Sequence, residues 1–234
     1  MNMDSLFEAS FMNHKKRLVS PPSPPRRDRE RTRHRREILD AAERVFAVRG
    51  YHATTMELIA RESEFSVGSL YNFFPSKNAL YDEIINGIAE RFLSEMDRRV
   101  LRLASPAEAL HALVDLRLDS VEQHRGFVRM ALEEFAVARL HPSGALPKQA
   151  QSAVDQYLKG LIVLFQRGIR SGVFDPEPAI YQAVAFDGMV NALTFYWATH
   201  KGTDLSREEG RAAIVNRFLA HQGRAPAERR KGER

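Results

Sequence analysis

Apolar residues recur with a helical period along most of the chain. Ile38, Ala41, Ala42, Val45 and Phe46 stand at i, i+3, i+4, i+7 and i+8, which makes one apolar helix face. Gly50 predicts its end. Thr54-Thr55-Met56-Glu57 has the form of a capping box, with Thr54 as cap, and opens a short helix to about Glu62. Ser66 is suited to cap another short helix over 66–73. Beyond Pro75, Ser76 can cap a long helix whose rows Tyr81, Ile85, Ala89, Leu93 and Ile84, Ile88, Phe92 run to about Leu103. Ser105-Pro106-Ala107-Glu108, Asp175-Pro176 and Ser206-Arg207-Glu208-Glu209 mark further helix starts. They predict helices near 106–123, 125–139, 147–171, 177–200 and 206–221, broken at Arg125-Gly126 and at His141-Pro142-Ser143-Gly144. No alternating run suggests a strand, so the expected fold is all-α.

Length and charge divide this helical body from its ends. The 234 residues are 44% hydrophobic, enough for one medium domain or two small ones. The formal net charge is +5, yet residues 1–36 hold ten Lys/Arg against four Asp/Glu. Pro21, Pro22, Pro24 and Pro25 precede Arg26, Arg27, Arg29 and Arg31, and prolines at that density favour extended chain. The expected organisation is a disordered basic, proline-rich arm over 1–32, a folded body over 33–223, and a basic disordered tail over 224–234. Such an arm is either a solvated tail or a contact to a polyanion. The absence of cysteine excludes a disulfide scaffold, a thiolate metal site and a cysteine nucleophile. No apolar run reaches the roughly 18 residues of a membrane span, and no export signal is readable, so a cytoplasmic location without membrane contact is expected.

The segment 54–80 carries the chemistry. Two short helices joined by a tight turn, with an earlier helix behind them, have helix-turn-helix geometry. Ser66, Val67, Gly68 and Ser69 keep the start of the second short helix free of bulk. Glycine inside a helix costs about 1 kcal/mol against alanine, and close approach of a DNA backbone would account for Gly68. Phe65 to Lys77, with Leu80 beyond, resembles the DNA-binding signature of the TetR/AcrR family of bacterial repressors. Ile38 to Ala42, Phe46, Gly50-Tyr51, Thr54-Thr55 and Ile59-Ala60 carry the same resemblance, which covers about residues 34–85.

The resemblance implies a three-helix DNA-binding domain over 33–80 and a helical domain for ligand binding and dimerisation over 81–223. It implies that Thr54 and Thr55 meet phosphate and that Ser66, Val67 and Ser69, beside Gly68, face major-groove base edges. Tyr71 and Asn72 would hydrogen-bond phosphates, and Lys77 would pair with one as a point charge. Leu70, Phe73 and Phe74 are read as core. Where the family usually has Ala-Gly-Val, this chain has Ser63-Glu64-Phe65. Glu64 must therefore adopt a positive φ or reshape the turn.

The second half is less specific. The helix 177–200 is apolar almost all round, which predicts burial on several sides. The resemblance implies that the last two helices join their symmetry mates in a four-helix bundle, so that a homodimer meets a palindromic double-stranded DNA operator. Asp187 and Asn191, four apart, either partner another side chain in the bundle or recognise a small-molecule effector. His111, Phe127, Met130, Tyr157, Phe165 and Phe195 are the other candidate ligand contacts, mostly aromatic residues at helical spacing. His111, Asp115 and Asp119 share a face with metal-ligand spacing, which is more simply the wet side of a helix, and no metal site or cofactor is assigned. No nucleophile constellation or phosphate loop suggests an enzyme. The expected function is a ligand-released transcriptional repressor, with an adaptor or architectural DNA-binding protein lacking ligand input as the alternative.

Overall fold

The computed structural model describes residues 25–130, 148–200 and 206–219. The arm before residue 25, the second part of the 125–139 helix with its Glu133-Glu134 pair, the break at 141–144 and the basic tail lie outside the described residues. The chain parts into two units, residues 1–36 and 37–234.

In the first unit the chain is already helical where extended structure was expected. Helix α1 spans Arg26–Ala53, so its start overturns an extended arm as far as residue 32. The proline run ends at Pro25, whose carbonyl accepts from Asp28 and Arg29 N–H at 2.9 and 3.1 Å. Proline is tolerated at a helix start because it removes no intrahelical bond there. From Arg26 to Arg36 the helix runs unbroken, and Arg26 Nε donates to Glu30 Oε1 one turn on at 2.9 Å.

In the second unit α1 kinks at Gly50, where φ is 78° and ψ 168°, a conformation that glycine adopts at little cost. Then come α2 (Met56–Glu62), α3 (Val67–Phe73) and α4 (Lys77–Met96). One π-helical turn, Asp97–Leu101, prolongs α4. Next are α5 (Pro106–Gln123), α6 over the described residues 125–130, α7 (Lys148–Arg170), α8 (Ala179–Thr199) and α9 (Arg207–Val215). Among the described residues no strand forms, and Phe174 and Leu219 make one isolated bridge.

The serine caps stand where the sequence predicts them. Ser66, Ser76, Ser105 and Ser206 each accept a backbone N–H three residues on, and Ser206 with Glu209 completes a reciprocal capping box. Two starts differ. Pro178 delays α8 to Ala179, and Gln182 Nε2 turns back to donate to the Asp175 carbonyl at 2.8 Å. The cap of α2 is Thr55, not Thr54, and Thr55 accepts from Leu58 N–H at 3.4 Å.

Two apolar clusters organise these helices. One gathers Ile38, Phe46, Ile59, Leu70, Phe74, Leu80 and Ile84 from α1 to α4, and includes Phe127 and Met130 of α6. The other joins α4 to α9 around Phe165, whose ring lies 5.1 Å from Phe174, 5.8 Å from Phe186 and 5.5 Å from Phe218. Rings at these tilted and edge-on spacings add to their burial energy.

The turn between α2 and α3 decides how α3 is presented within the helix-turn-helix unit of α1 to α4, called the reader below. Glu64 has φ 60°, so it takes the positive-φ conformation that the sequence required of it. Phe65 N–H donates to the Ala60 carbonyl at 3.0 Å and Glu64 N–H to the Arg61 carbonyl at 3.3 Å. That pair is a Schellman closure, normally built on glycine. Phe65 then reaches the Phe73 ring edge-on at 6.2 Å. A left-handed conformation costs a non-glycine residue about 1–2 kcal/mol, part of which glycine returns through its freer unfolded chain. Glu64→Gly is therefore expected to raise unfolding free energy by about 0.5–1 kcal/mol, and Glu64→Ala to leave it nearly unchanged. Urea titration of the variants checks this.

Candidate nucleic-acid interface and the joint behind it

Leu70 and Phe74, buried at 0% and 1% exposure, pin α3 from behind. That leaves the opposite face of α3 to solvent. Ser66, Gly68, Tyr71 and Asn72 are exposed, and Val67 and Ser69 half-exposed. A Cβ added at Gly68 would meet nothing within 4 Å. No contact among the described residues requires a glycine there. Ser66 Oγ accepts from Ser69 N–H at 3.0 Å and donates to or accepts from Ser69 Oγ at 2.8 Å. The two hydroxyls thus form one polar group at the start of α3.

Thr54 does not belong to this surface. It is 1% exposed, and its hydroxyl donates to the Gly50 carbonyl at 2.7 Å. The kink at Gly50 takes that carbonyl out of the helical ladder, and Thr54 turns inward to satisfy it. Thr55 is exposed at the N-terminus of α2. There the Glu57 carboxyl is held below its usual value, first by its own backbone N–H and then by the Thr55 hydroxyl.

Lys77 is half-buried. Its Nζ donates to the Tyr51 carbonyl at 2.8 Å and lies 4.4 Å from the Tyr51 ring centroid. The ammonium caps the C-terminal end of α1, where carbonyls lack helical partners and the helix dipole is negative. Tyr51 in turn hydrogen-bonds Asn78. Lys77 thus fastens α1 to α4 in addition to any contact outside the chain.

The sequence marked Arg125-Gly126 only as a break. Here it joins the reader to the bundle. His124 Nδ1 lies 2.6 Å from Glu43 Oε1 on α1. Arg125 Nη2 donates to the Trp197 carbonyl at 2.7 Å, capping the end of α8. Gly126 packs so closely on α1 that a Cβ there would lie 2.7 Å from Ala47 Cβ. Phe127 enters the reader's core, 6.2 Å edge-on from Phe46 and 5.6 Å from Tyr81. Nothing in a single sequence separates such a joint from an ordinary loop, because its partners are about 80 residues away in Glu43 and Ala47 and about 70 in Trp197.

The candidate ligand contacts disperse. Phe127 and Met130 lie in the reader's core. Phe165 is wholly buried among aromatic rings, and Phe195 is 45% exposed. His111 stands apart, with burial and then the Arg211 charge lowering its pKa, opposed by Asp115. Its neighbours Asp115 and Asp119 pair with arginines, Asp115 with Arg211 at 2.6 Å and Asp119 with Arg99 at 3.3 Å. Tyr157, Asp187 and Asn191 do come together, around Arg117, which the sequence reading did not single out. Arg117 Nη2 donates to Asp187 Oδ1 and Asn191 Oδ1, both at 3.0 Å. Burial pushes the Tyr157 phenol well above its usual pKa, which keeps its proton in place. A groove of about 350 Å³ opens between α4 and α5, with Ile88, Phe92 and Leu116 as its apolar wall and Arg91, Glu95 and Asp119 among its polar lining. None of the ligand contacts expected from sequence lines it.

Residues 38–84 match the family model described as bacterial regulatory proteins, tetR family. This segment belongs to the TetR family of bacterial regulatory proteins and makes the chain a helix-turn-helix, DNA-binding transcriptional regulator. Among relatives of this TetR-family chain, the regulator YhgD of Bacillus subtilis is 27% identical over 160 residues, covering 68% of this chain and 82% of YhgD. The repressor KstR2 of Mycobacterium tuberculosis is 29% identical over 143 residues, covering 61% of this chain and 70% of KstR2. A regulator from Saccharomonospora viridis, solved in complex with choline, shares the fold with a TM-score of 0.70 and 23% identity, over 81% of this chain and all of that one. No helix of the described residues is long and apolar enough to cross a membrane.

The Gly126 contact can be probed directly. Gly126→Ala forces two methyl groups into one space and is expected to cost about 1–3 kcal/mol, as overpacking does. Adding Ala47→Gly vacates that space and is expected to restore part of the loss, less about 1 kcal/mol for glycine within α1. Thermal unfolding of the single and double variants measures both effects.

Proposed function

We propose that the chain is a dimeric repressor released from a palindromic operator by a small, largely apolar effector. The observation that carries this reading is the family reader fused through the 124–127 joint to a bundle that α8 completes. A change in the bundle can reach the reader along α4, which enters both cores, and through the joint, where Arg125 holds the end of α8 while Gly126 and Phe127 lie on α1. An effector lowers operator affinity only if it prefers the bundle arrangement that holds the two readers at another spacing. Relatives offer varied precedent. The KstR2 structure is described as a ketosteroid transcriptional regulator, a Bacillus halodurans one as a fatty acid degradation regulator, and the Saccharomonospora viridis one holds choline.

Dimerisation is supported by α8. One side of it buries Ala183, Phe186, Val190 and Ala198. On the other, Tyr181, Val184, Ala185, Gly188, Ala192 and Phe195 are exposed and uncharged. A Cβ at Gly188 would meet nothing within 4 Å. Small residues between large ones let a symmetry-related helix approach closely, and an exposed apolar stripe of this length is uncommon on a monomer. Val184→Glu, at a position 54% exposed, is expected to leave the fold intact and yield monomers that lose operator binding. Sedimentation velocity and an operator gel shift read the two effects.

In the reader, Thr55, Tyr71 and Asn72 are assigned to phosphate, and Ser66, Val67 and Ser69 to base edges beside the open Gly68. Tyr71→Phe is expected to weaken operator and random DNA by similar factors, whereas Ser69→Ala changes preference among operators. Lys77→Ala is expected to lower the salt slope by about one unit and the melting temperature as well, since the ammonium also caps α1. Titrations at several salt concentrations, run beside melting curves, separate these roles. An unchanged salt slope for Lys77→Ala removes it from the phosphate contacts.

A further inference from the structure

The polar cluster inside the bundle has more donors than acceptors. Arg117 Nη2 is taken up by Asp187 and Asn191, and Asn191 Nδ2 donates to Asp187 Oδ2 at 2.7 Å. Arg117 Nε and Tyr157 Oη are both buried and make no well-formed hydrogen bond among the described residues, although Arg117 and Asp187 lie near enough to the phenol to act on it. They are neighbours, since the guanidinium carbon lies 5.0 Å from the Tyr157 ring centroid. Tyr157 is only 6% exposed, so water does not meet its hydroxyl freely. The ring of Phe92 closes the cluster from the α4 side, 5.2 Å from the guanidinium carbon and 5.7 Å from the Tyr157 ring. Phe92 also lines the α4–α5 groove. One side chain thus separates a groove of about 350 Å³, apolar along its Ile88, Phe92 and Leu116 wall and polar elsewhere, from two donors without a well-formed partner.

We propose that Arg117 and Tyr157 form the recognition point for an uncharged carbonyl oxygen on an otherwise apolar effector, a ketone, ester or lactone that enters along the groove as Phe92 turns aside. Asp187 decides the charge. It already neutralises Arg117 across 3.0 Å, so a carboxylate effector would set a second negative charge beside it in a poorly screened interior. A hydrocarbon would leave both donors unmet. A neutral carbonyl oxygen has two lone pairs, accepts from Arg117 Nε–H and Tyr157 O–H together, and adds no charge. The proposal rests on the reading of the bundle as an effector domain and names the class of effector that the bundle takes.

The test uses the full chain and three probes of one shape: 4-phenylcyclohexanone, 4-phenylcyclohexanecarboxylate and phenylcyclohexane. Calorimetric titration is expected to find the ketone bound at least about tenfold more tightly than either other probe, the factor that one hydrogen bond of ordinary net strength supplies. Tyr157→Phe is expected to lose about that factor for the ketone alone, while the melting temperature without ligand does not fall, because no hydrogen bond is broken. Tighter binding of the carboxylate, binding of none of the three, or a Tyr157→Phe variant that holds the ketone as well as the parent overturns the assignment. Operator release is scored separately. A ketone that binds through Tyr157 without releasing operator supports this site and defeats induction. Release by a probe whose binding ignores Tyr157→Phe supports induction and overturns the site.

Discussion

Ala47 and Gly126 meet with no room for another carbon atom between them, and the seating of α6 between the two halves of the folded body depends on that contact, beside α4, which enters both cores. Around it His124 pairs with Glu43, Arg125 caps α8 and Phe127 is shared with the reader's core. Apolar packing alone is tolerant of small slides. A close glycine contact flanked by two charged hydrogen bonds is not, because any slide breaks directional bonds in a partly buried setting. The joint therefore fixes the start of α6 against α1 and against the end of α8.

The reader is stiffened by a different set of devices. Its α2 and α3 are short, and helices of seven residues have little stability of their own. They are held by caps at Thr55 and Ser66, by the Schellman closure at Glu64 and by Leu70 and Phe74 behind them. Thr54 and Lys77 show how much of this effort goes into the end of α1. One hydroxyl and one ammonium satisfy carbonyls that the Gly50 kink and the helix end release. Residues that resemble DNA contacts in a family pattern can thus owe their identity to a helix end.

In the bundle, α8 has two jobs that compete for the same residues. Its inner side packs on α5, α7 and α9, while its outer side keeps a run of small and apolar residues free. Asp187 and Asn191 stand between the two sides and are tied to Arg117 of α5. That tie explains how an almost wholly apolar helix tolerates a carboxylate: the charge is paired and hydrogen-bonded at the edge of the core.

By itself the sequence determined the all-α class, the order of the helices and most of their starts, because serine caps, proline and the 3.6-residue apolar period act within a few residues of one another. It determined the reader for the same reason, since the whole helix-turn-helix signature lies within one short segment. Even the strained Glu64 was legible, as a residue standing where the turn needs glycine. The inward turn of Thr54, the capping role of Lys77 and the early start of α1 at Arg26 were decided by carbonyls and neighbours that local pattern does not weigh. The joint at 124–127 and the Arg117–Tyr157–Asp187–Asn191 cluster were decided only by tertiary structure. Asp187 and Asn191 aside, their members are some 30 to 80 residues apart, and helical periodicity reports which face of a helix is buried, never which distant residue it is buried against.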